Sequence, residues 1–221
     1  MPAMTSQLAS LKKLQGHNRE QSFKALYEAS HSDCVVEVIK SRRKPDVCIK
    51  RNDVVVHNIS VKSADKVIQW ELKSESKLLS MYGNDHLLVE FMNIRTKHDK
   101  PTQKQLFVDY FPRITAHLTD KQNFKQFITK HFTNNNEVDL LAVGNGISYN
   151  IYNFQQVLDY MADNYVVKNS EQQVQINTTD GYLMFSIEIR SDKKCMLIRQ
   201  DVNSLQRVLK HITPVDIVPP I

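Results

Sequence analysis

Two short segments of the sequence carry the residue types that phosphodiester chemistry needs. Asp46 follows Pro45 at the start of one alternating apolar segment. Ser60 and Lys62 are two residues apart in the next one, so in a strand they point to one face of the sheet while Val61 points into the core. A carboxylate, a polar group and a lysine at one sheet end can bind a divalent ion, orient a water and stabilise developing charge. The pattern is compatible with metal-assisted hydrolysis of a phosphodiester. The alternative is an ordinary alternating strand after Asp46, with Lys62 on an edge strand where it prevents aggregation.

A β-hairpin is predicted to position these groups. The segment Arg51-Asn52-Asp53 separates the two alternating stretches, and Asn and Asp tolerate the left-handed backbone angles of a tight turn. Strands are predicted over Cys34–Ile39, Asp46–Lys50, Val54–Val61 and Val67–Leu72. A helix is predicted over Asn18–Ala29. Folding of the hairpin would bring Asp46 beside Ser60 and Lys62.

The remaining elements predict an α/β fold with a central mixed β-sheet flanked by helices. Helices are predicted over Asp85–Ile94, Asp120–Phe132, Asn153–Ala162 and Val202–His211. Strands are predicted over Val138–Val143, Val174–Ile176, Tyr182–Ile189 and Cys195–Arg199. No linker rich in Pro, Gly or Ser divides the chain. We therefore predict a single domain over 1–221, with a core at about 16–145 and a strand–loop–strand part at about 146–221.

Composition excludes several classes of protein. The 29 Lys and Arg exceed the 24 Asp and Glu, and a net charge of +5 allows a polyanionic partner without requiring one. Three cysteines without a C-x-x-C pair argue against a disulfide framework and a zinc site. The five glycines form no phosphate-binding loop, which argues against a nucleotide-binding fold. Without an apolar run long enough for a signal peptide or a membrane span, we expect a cytoplasmic protein.

The segments Pro45-Asp46 and Ser60-Val61-Lys62 resemble the core motif of the PD-(D/E)XK nuclease superfamily, in the variant where an uncharged residue replaces the usual acid. The spacing of Gly16, Glu20, Phe23 and Leu26 also resembles that of the helix that precedes this motif in such nucleases. From about residue 16 to 205, the order of elements is similar to that of small Type II restriction endonucleases that cut four-base sites. The resemblance implies a restriction-endonuclease-like core and a Mg²⁺-dependent, sequence-specific endonuclease for double-stranded DNA.

The resemblance also implies roles for the residues of the hairpin. Asp46 corresponds to the metal-binding aspartate, and Lys62 to the catalytic lysine that positions or polarises the attacking water. Ser60 lies where most members have Glu or Asp and where related small cutters have Gln or Asn. Because a serine supplies no charge, the Mg²⁺ would keep more waters and phosphate oxygens. The main-chain carbonyl of Val61 is a further implied metal ligand.

Two parts of this assignment have alternatives. Glu20 or Glu37 could complete the site. The alternative is that Glu20 is an exposed helix residue and Glu37 an exposed strand residue. The segment Glu71-Leu72-Lys73 also fits E-x-K, 25 residues after Asp46. A tight hairpin after Asp46 favours Lys62 over Lys73, and the alternative for Glu71 and Lys73 is a solvated surface pair.

Basic and polar residues predict where DNA would be bound. Three groups are candidates: Arg42, Arg43 and Lys44 for phosphates; Ser63 and Gln69 beside the bases; and the hairpin tip of Arg190, Ser191, Asp192, Lys193 and Lys194, with Arg199, for base edges in the major groove. A second polar loop is predicted around Asn93, Arg95, Lys97, His98 and Lys100. For Arg42, Arg43 and Lys44 the alternative is a solvated turn, and for Gln69 it is a buried core position. For the hairpin tip the alternative is a mobile charged loop.

Three functions stay open on the sequence alone. The first is a Type II restriction endonuclease, acting as a monomer or a homodimer. The second is another nuclease of the superfamily, such as a repair nicking enzyme or a junction resolvase. The third is a catalytically inactive DNA-binding module that retains the fold, which the missing acid at position 60 favours.

Overall fold

The computed structural model describes residues 18–39, 45–65, 67–135, 137–170, 173–192 and 194–220. Its helices are α1 (18–30), α2 (Glu75–Tyr82), α3 (Leu87–Lys97), α4 (Lys100–Thr119), α5 (Lys121–Phe132), α6 (Phe154–Asp163) and α7 (Val202–Leu209). Its strands are β1 (Val35–Val38), β2 (Val47–Arg51), β3 (Val54–Ser63), β4 (Ile68–Ser74), β5 (Leu140–Gly144), β6 (Tyr149–Asn153), β7 (Tyr165–Asn169), β8 (Gln173–Thr178), β9 (Leu183–Arg190), β10 (Cys195–Gln200) and β11 (Asp216–Val218). The predicted mixed α/β class, with a mixed sheet and flanking helices, is confirmed.

The described residues fall into two compact units. The first comprises Met1–Lys66, Thr133–Val157 and Ile212–Ile221, and the second comprises Val67–Phe132 and Leu158–His211. The sheet of the first unit has the order β1-β2-β3-β5-β6-β11, in which only β3 and β5 are parallel. The sheet of the second unit has the order β4-β10-β9-β8-β7 and is antiparallel throughout.

The hairpin of β2 and β3 forms as predicted in the first unit. Asn52 and Asp53 have φ angles of 51° and 62°, the left-handed pair that a two-residue hairpin turn requires. Helix α1 packs against this sheet because Phe23 and Leu26, one helical turn apart, lie in its apolar core. Val61 lies in the same core, as the strand alternation predicted.

The second unit packs α5 and the five-stranded sheet around aromatic side chains. The indole of Trp70 stacks on Phe132 with ring centroids 4.6 Å apart, and its Nε1 donates a hydrogen bond of 2.7 Å to the buried Gln200. Phe124 and Tyr165 stack at 3.8 Å. These contacts join α5, β4, β7 and β10 into one core.

One predicted loop is wrong. The polar segment at Asn93–Lys100 belongs to the end of α3 and the start of α4, and only a short connection around Asp99 separates the two helices. Helix α4 was not predicted, although Asp99 caps it by accepting a 3.0 Å hydrogen bond from the Thr102 N–H. In the described ranges, no helix is both long and apolar enough to cross a membrane.

Candidate active site

The backbone of Asp46 is fixed where three strands meet. Asp46 immediately precedes β2, and its N–H donates to the carbonyl of Ile59 on β3 at 3.0 Å. Its own carbonyl accepts from the N–H of Ile39, just after β1, also at 3.0 Å. Antiparallel pairing of Val47 with Ile59 therefore places the Asp46 side chain beside the residues that follow Ile59.

Three consecutive residues of β3 converge on one oxygen of Asp46. Oδ2 accepts hydrogen bonds from the Ser60 hydroxyl at 2.9 Å, the Val61 N–H at 2.8 Å and the Lys62 ammonium at 3.1 Å. The predicted hairpin thus brings Asp46, Ser60 and Lys62 together. The Val61 N–H was not predicted as a donor, because the sequence pattern gives side-chain faces and not the direction of backbone groups.

Burial and charge act on Asp46 in opposite directions. Burial favours the neutral carboxyl, but the Lys62 charge and hydrogen bond, with the Ser60 and Val61 hydrogen bonds, lower its pKa below the ordinary 3.8. Asp46 is therefore ionised at neutral pH. The side chains of Asp46 and Lys62 keep 22% and 13% of their surface exposed, so both groups remain reachable from solvent.

Two oxygen atoms of the site, Asp46 Oδ1 and the Val61 carbonyl oxygen, could bind a cation. Within the described ranges, no hydrogen bond to Asp46 ends on Oδ1. In a strand the N–H and carbonyl of one residue point to the same edge, so the Val61 carbonyl faces the edge on which Asp46 lies. The other edge of β3 pairs with β5, where Val61 is opposite Ala142. One carboxylate oxygen and one main-chain carbonyl suit Mg²⁺, which takes its remaining ligands from water and phosphate.

The described part of the chain contains no cluster of three or more His, Cys, Asp and Glu side chains that would hold a metal.

The two glutamates considered as partners lie on different elements. Glu20 is partly buried on α1, and none of the hydrogen bonds to Asp46 comes from that helix. Glu37, on β1, forms a 2.6 Å ion pair with Lys50, which lowers the pKa of Glu37. The Glu37 carboxylate is thus part of a cross-strand surface pair.

The alternative E-x-K segment lies in the other sheet. Glu71 and Lys73 are on β4, where they are opposite Ile198 and Met196 of β10. The side chain of Glu71 lies outside the described residues. The hydrogen bond from Lys62 to Asp46 favours the hairpin register.

The residues predicted for DNA binding occupy different environments. Arg42, Arg43, Lys44 and Lys193 lie outside the described residues. Ser63 is buried, and its hydroxyl accepts a 3.1 Å hydrogen bond from the Asp65 N–H, which holds a local turn. Gln69 is exposed, so the alternative that places it in the core is wrong. It lies directly opposite the exposed Arg199 of β10.

The described residues of the hairpin tip between β9 and β10 are exposed. Arg190 forms a 3.1 Å ion pair with Asp192, and Lys194 adopts a left-handed φ of 44°. Ser191 lies in the same turn, between Arg190 and Asp192. The tip therefore presents charged and hydroxyl groups to solvent, as the prediction requires.

No family model, curated protein or solved structure matches this chain. The geometry at Asp46 therefore carries the functional argument.

Proposed function

We propose that this chain is a Mg²⁺-dependent endonuclease that hydrolyses phosphodiester bonds of double-stranded DNA at a short sequence, in the manner of a Type II restriction enzyme. The observation that carries the proposal is the convergence of Ser60, Val61 and Lys62 on one oxygen of Asp46 at a solvent-accessible sheet margin. The preference for a Type II enzyme rests on the resemblance of these segments to the superfamily motif.

Each residue of the site has a distinct task in this proposal. Asp46 Oδ1 and the Val61 carbonyl would hold Mg²⁺, which would supply a Lewis acid for the phosphate oxygens. Ser60 and the Val61 N–H fix the orientation of the Asp46 carboxylate through Oδ2. The Lys62 ammonium orients the attacking water and stabilises the negative charge that develops on the phosphate. Ser60 adds no charge of its own.

The exposed polar residues of the second unit support DNA as the substrate. Gln69 and Arg199 form an exposed cross-strand pair. An arginine can donate two hydrogen bonds to guanine, and a glutamine can donate one hydrogen bond to adenine N7 and accept one from its N6 amino group. Arg190, Ser191 and Lys194 lie in the exposed turn between β9 and β10, and such side chains can donate hydrogen bonds to base edges in the major groove. The net charge of +5 favours association with a polyanion.

A second candidate function is a catalytically inactive DNA-binding module. It is favoured by the neutral Ser60 and by the direct ion pair between Asp46 and Lys62, which also satisfies both charges without a metal. Such a module would bind duplex DNA and cut none.

Digestion of a long phage DNA tests the proposal, with sequencing of all fragment ends. Wild-type protein and Asp46→Asn are incubated with Mg²⁺, and wild type is also incubated with a chelator. We expect discrete fragments that share one short sequence at their ends, from wild type with Mg²⁺ only. Duplex binding without cleavage would establish the inactive module instead. Cuts that follow nicks or junctions rather than sequence would establish a repair nuclease or a resolvase.

A further inference from the structure

A groove of about 770 Å³ lies in the second unit, along one face of α4. Lys100, Lys104, Phe107, Val108 and Phe111 recur every three or four residues, so they line it as one helical stripe. The groove is within the size range of pockets that hold a small organic ligand. This stripe was not predicted from the sequence.

The groove is cationic. Arg95 on α3 joins Lys100 and Lys104, and no carboxylate is among the described residues that line the groove. The Arg95 guanidinium donates a 3.0 Å hydrogen bond to Gln103, whose amide donates to the His98 carbonyl at 2.8 Å. The arginine is thereby held in place. The charge of the groove complements phosphate.

Its floor is apolar and partly aromatic. Phe111 stacks on the buried Phe107, with ring centroids 4.8 Å apart and planes inclined by 15°. Val108, beside them, has 70% of its surface exposed, the largest fraction among the exposed apolar residues described. A surface that contacts only the sugar–phosphate backbone of a duplex needs no such floor. Unpaired bases do, because their faces stack on aromatic and apolar side chains.

Polar side chains with hydrogen-bonding capacity also line the groove. Asn169, Ser170 and Ser191 come from the end of β7 and from two turns. The Asn169 amide nitrogen donates to the Thr115 hydroxyl, and in the described ranges its amide oxygen accepts no hydrogen bond. These groups match the donors and acceptors on the edge of a base.

We infer that this groove binds an unpaired nucleotide of a DNA strand, with its phosphate at Lys100 and Lys104, its base on Phe111 and Val108, and the base edge at Asn169. The choice of DNA rests on the proposed function. The groove itself lies wholly in the second unit and includes no residue of the Asp46 site.

Fluorescence anisotropy with a labelled single-stranded oligothymidylate and a duplex of equal length tests this inference. Two variants alter the groove: Lys100→Ala with Lys104→Ala, and Val108→Asp on its floor. Lys121→Ala with Lys125→Ala is the control, since it removes the same charge from α5 of the same unit, outside the groove. Thermal unfolding confirms that each variant is folded.

We expect both groove variants to weaken single-strand binding about tenfold or more, against less than about threefold for duplex binding and for the control. The double lysine variant should also reduce the salt dependence of single-strand binding by about 0.7 in slope, the value for the one phosphate held by both lysines.

The failures are distinguishable. Wild type that cuts duplex DNA while the groove variants bind the single strand normally would overturn this inference alone. An equal loss for single strand and duplex would also overturn it, because the groove would then contact phosphates and no base. Wild type that binds neither DNA form would overturn the proposed function as well.

Discussion

Asp46 shows how a carboxylate can be both partly buried and ionised. Three donors reach a single oxygen, and one of them carries a positive charge, so the ionised form is stabilised against the cost of burial. The same arrangement leaves the second oxygen available for a cation. Ser60 contributes a hydrogen bond without charge, which keeps the carboxylate oriented.

Replacing Asp46 by Asn should destabilise the fold at neutral pH. The variant removes the ion pair between Asp46 and Lys62, whose side chain is only 13% exposed, and we expect a loss of about 1–3 kcal/mol in the free energy of unfolding. Urea denaturation at pH 7 measures it, with Asp65→Asn, an exposed carboxylate in the turn after β3, as the matched control.

The pH dependence of that loss follows from the lowered pKa. Because the pKa of Asp46 in the folded protein is below 3.8, its stabilising effect is complete above that pH and disappears as the pH falls through the folded value. The difference between wild type and Asp46→Asn should therefore shrink in acid. A difference that stays constant in the acid range would contradict the ion pair as its cause.

The hairpin of β2 and β3 is the element that assembles this site. Asp53 occupies the second position of its turn at φ 62°, where a glycine has no steric penalty. We expect Asp53→Gly to raise the free energy of unfolding by about 0.5–1 kcal/mol and Asp53→Ala to lower it. Both substitutions remove the charge, so their difference, measured by urea denaturation, isolates the backbone effect. Equal stability of the two variants would mean that the turn carries no left-handed strain.

The N-terminus of helix α3 is capped by His86, whose side chain must be neutral to act as the cap. The Nδ1 of His86 accepts a 3.1 Å hydrogen bond from the Leu88 N–H and cannot do so when protonated. Burial, followed by the charges of His117, Lys130 and His131, lowers the pKa of His86 to about 4. In the unfolded chain His86 is therefore protonated as the pH falls through about 6.5, whereas in the folded chain it is protonated only near pH 4.

Stability should consequently fall as the pH is lowered from about 6.5 to about 4, by at most about 3 kcal/mol from His86. His86→Asn retains an acceptor for the helix cap and should flatten this dependence in a series of urea denaturations. His98→Asn, at an exposed position, should leave it unchanged. An identical pH dependence in wild type and His86→Asn would contradict the assignment.

The sequence predicted elements with strong local periodicity and missed the others. Strands β2, β3 and β5 and helices α1, α5 and α6 appear close to their predicted limits. Helix α4 was missed because Pro101 and Pro112 interrupt its pattern, although Phe107, Tyr110, Ile114 and Leu118 form a buried helical stripe. Proline is tolerated in the first helical turn. The short strands β6, β7 and β11 depend on pairing partners that local sequence does not specify.

At the scale of the whole molecule, the two lysines that the sequence leaves open as alternatives belong to different sheets. Two lysines follow Asp46 at plausible distances, but Lys62 lies in the sheet of the first unit and Lys73 in that of the second. Spacing along the chain does not reveal which strand lies next to β2, because that is decided by long-range pairing. The contact of Asp46 with Lys62 was predictable because the two strands are consecutive and joined by a two-residue turn.

The cationic groove on α4 was beyond prediction for a similar reason. Its stripe lies on α4, which the sequence pattern does not predict, and its remaining lining residues come from α3, from β7 and from two turns. The basic residues Arg95 and Lys100 were noticed in the sequence, but as a loop. In the structure they lie on two helices, where they line one wall of the groove.

The most direct test of the central claim is the rate of Mg²⁺-dependent DNA cleavage by wild type, Lys62→Ala and Lys73→Ala, with duplex binding measured in parallel. We expect Lys62→Ala to cut at least about a hundredfold more slowly while binding duplex DNA within a few-fold of wild type. Lys73→Ala should cut at the wild-type rate. Cleavage by Lys62→Ala at the wild-type rate would contradict the assignment of the site to Asp46 and Lys62.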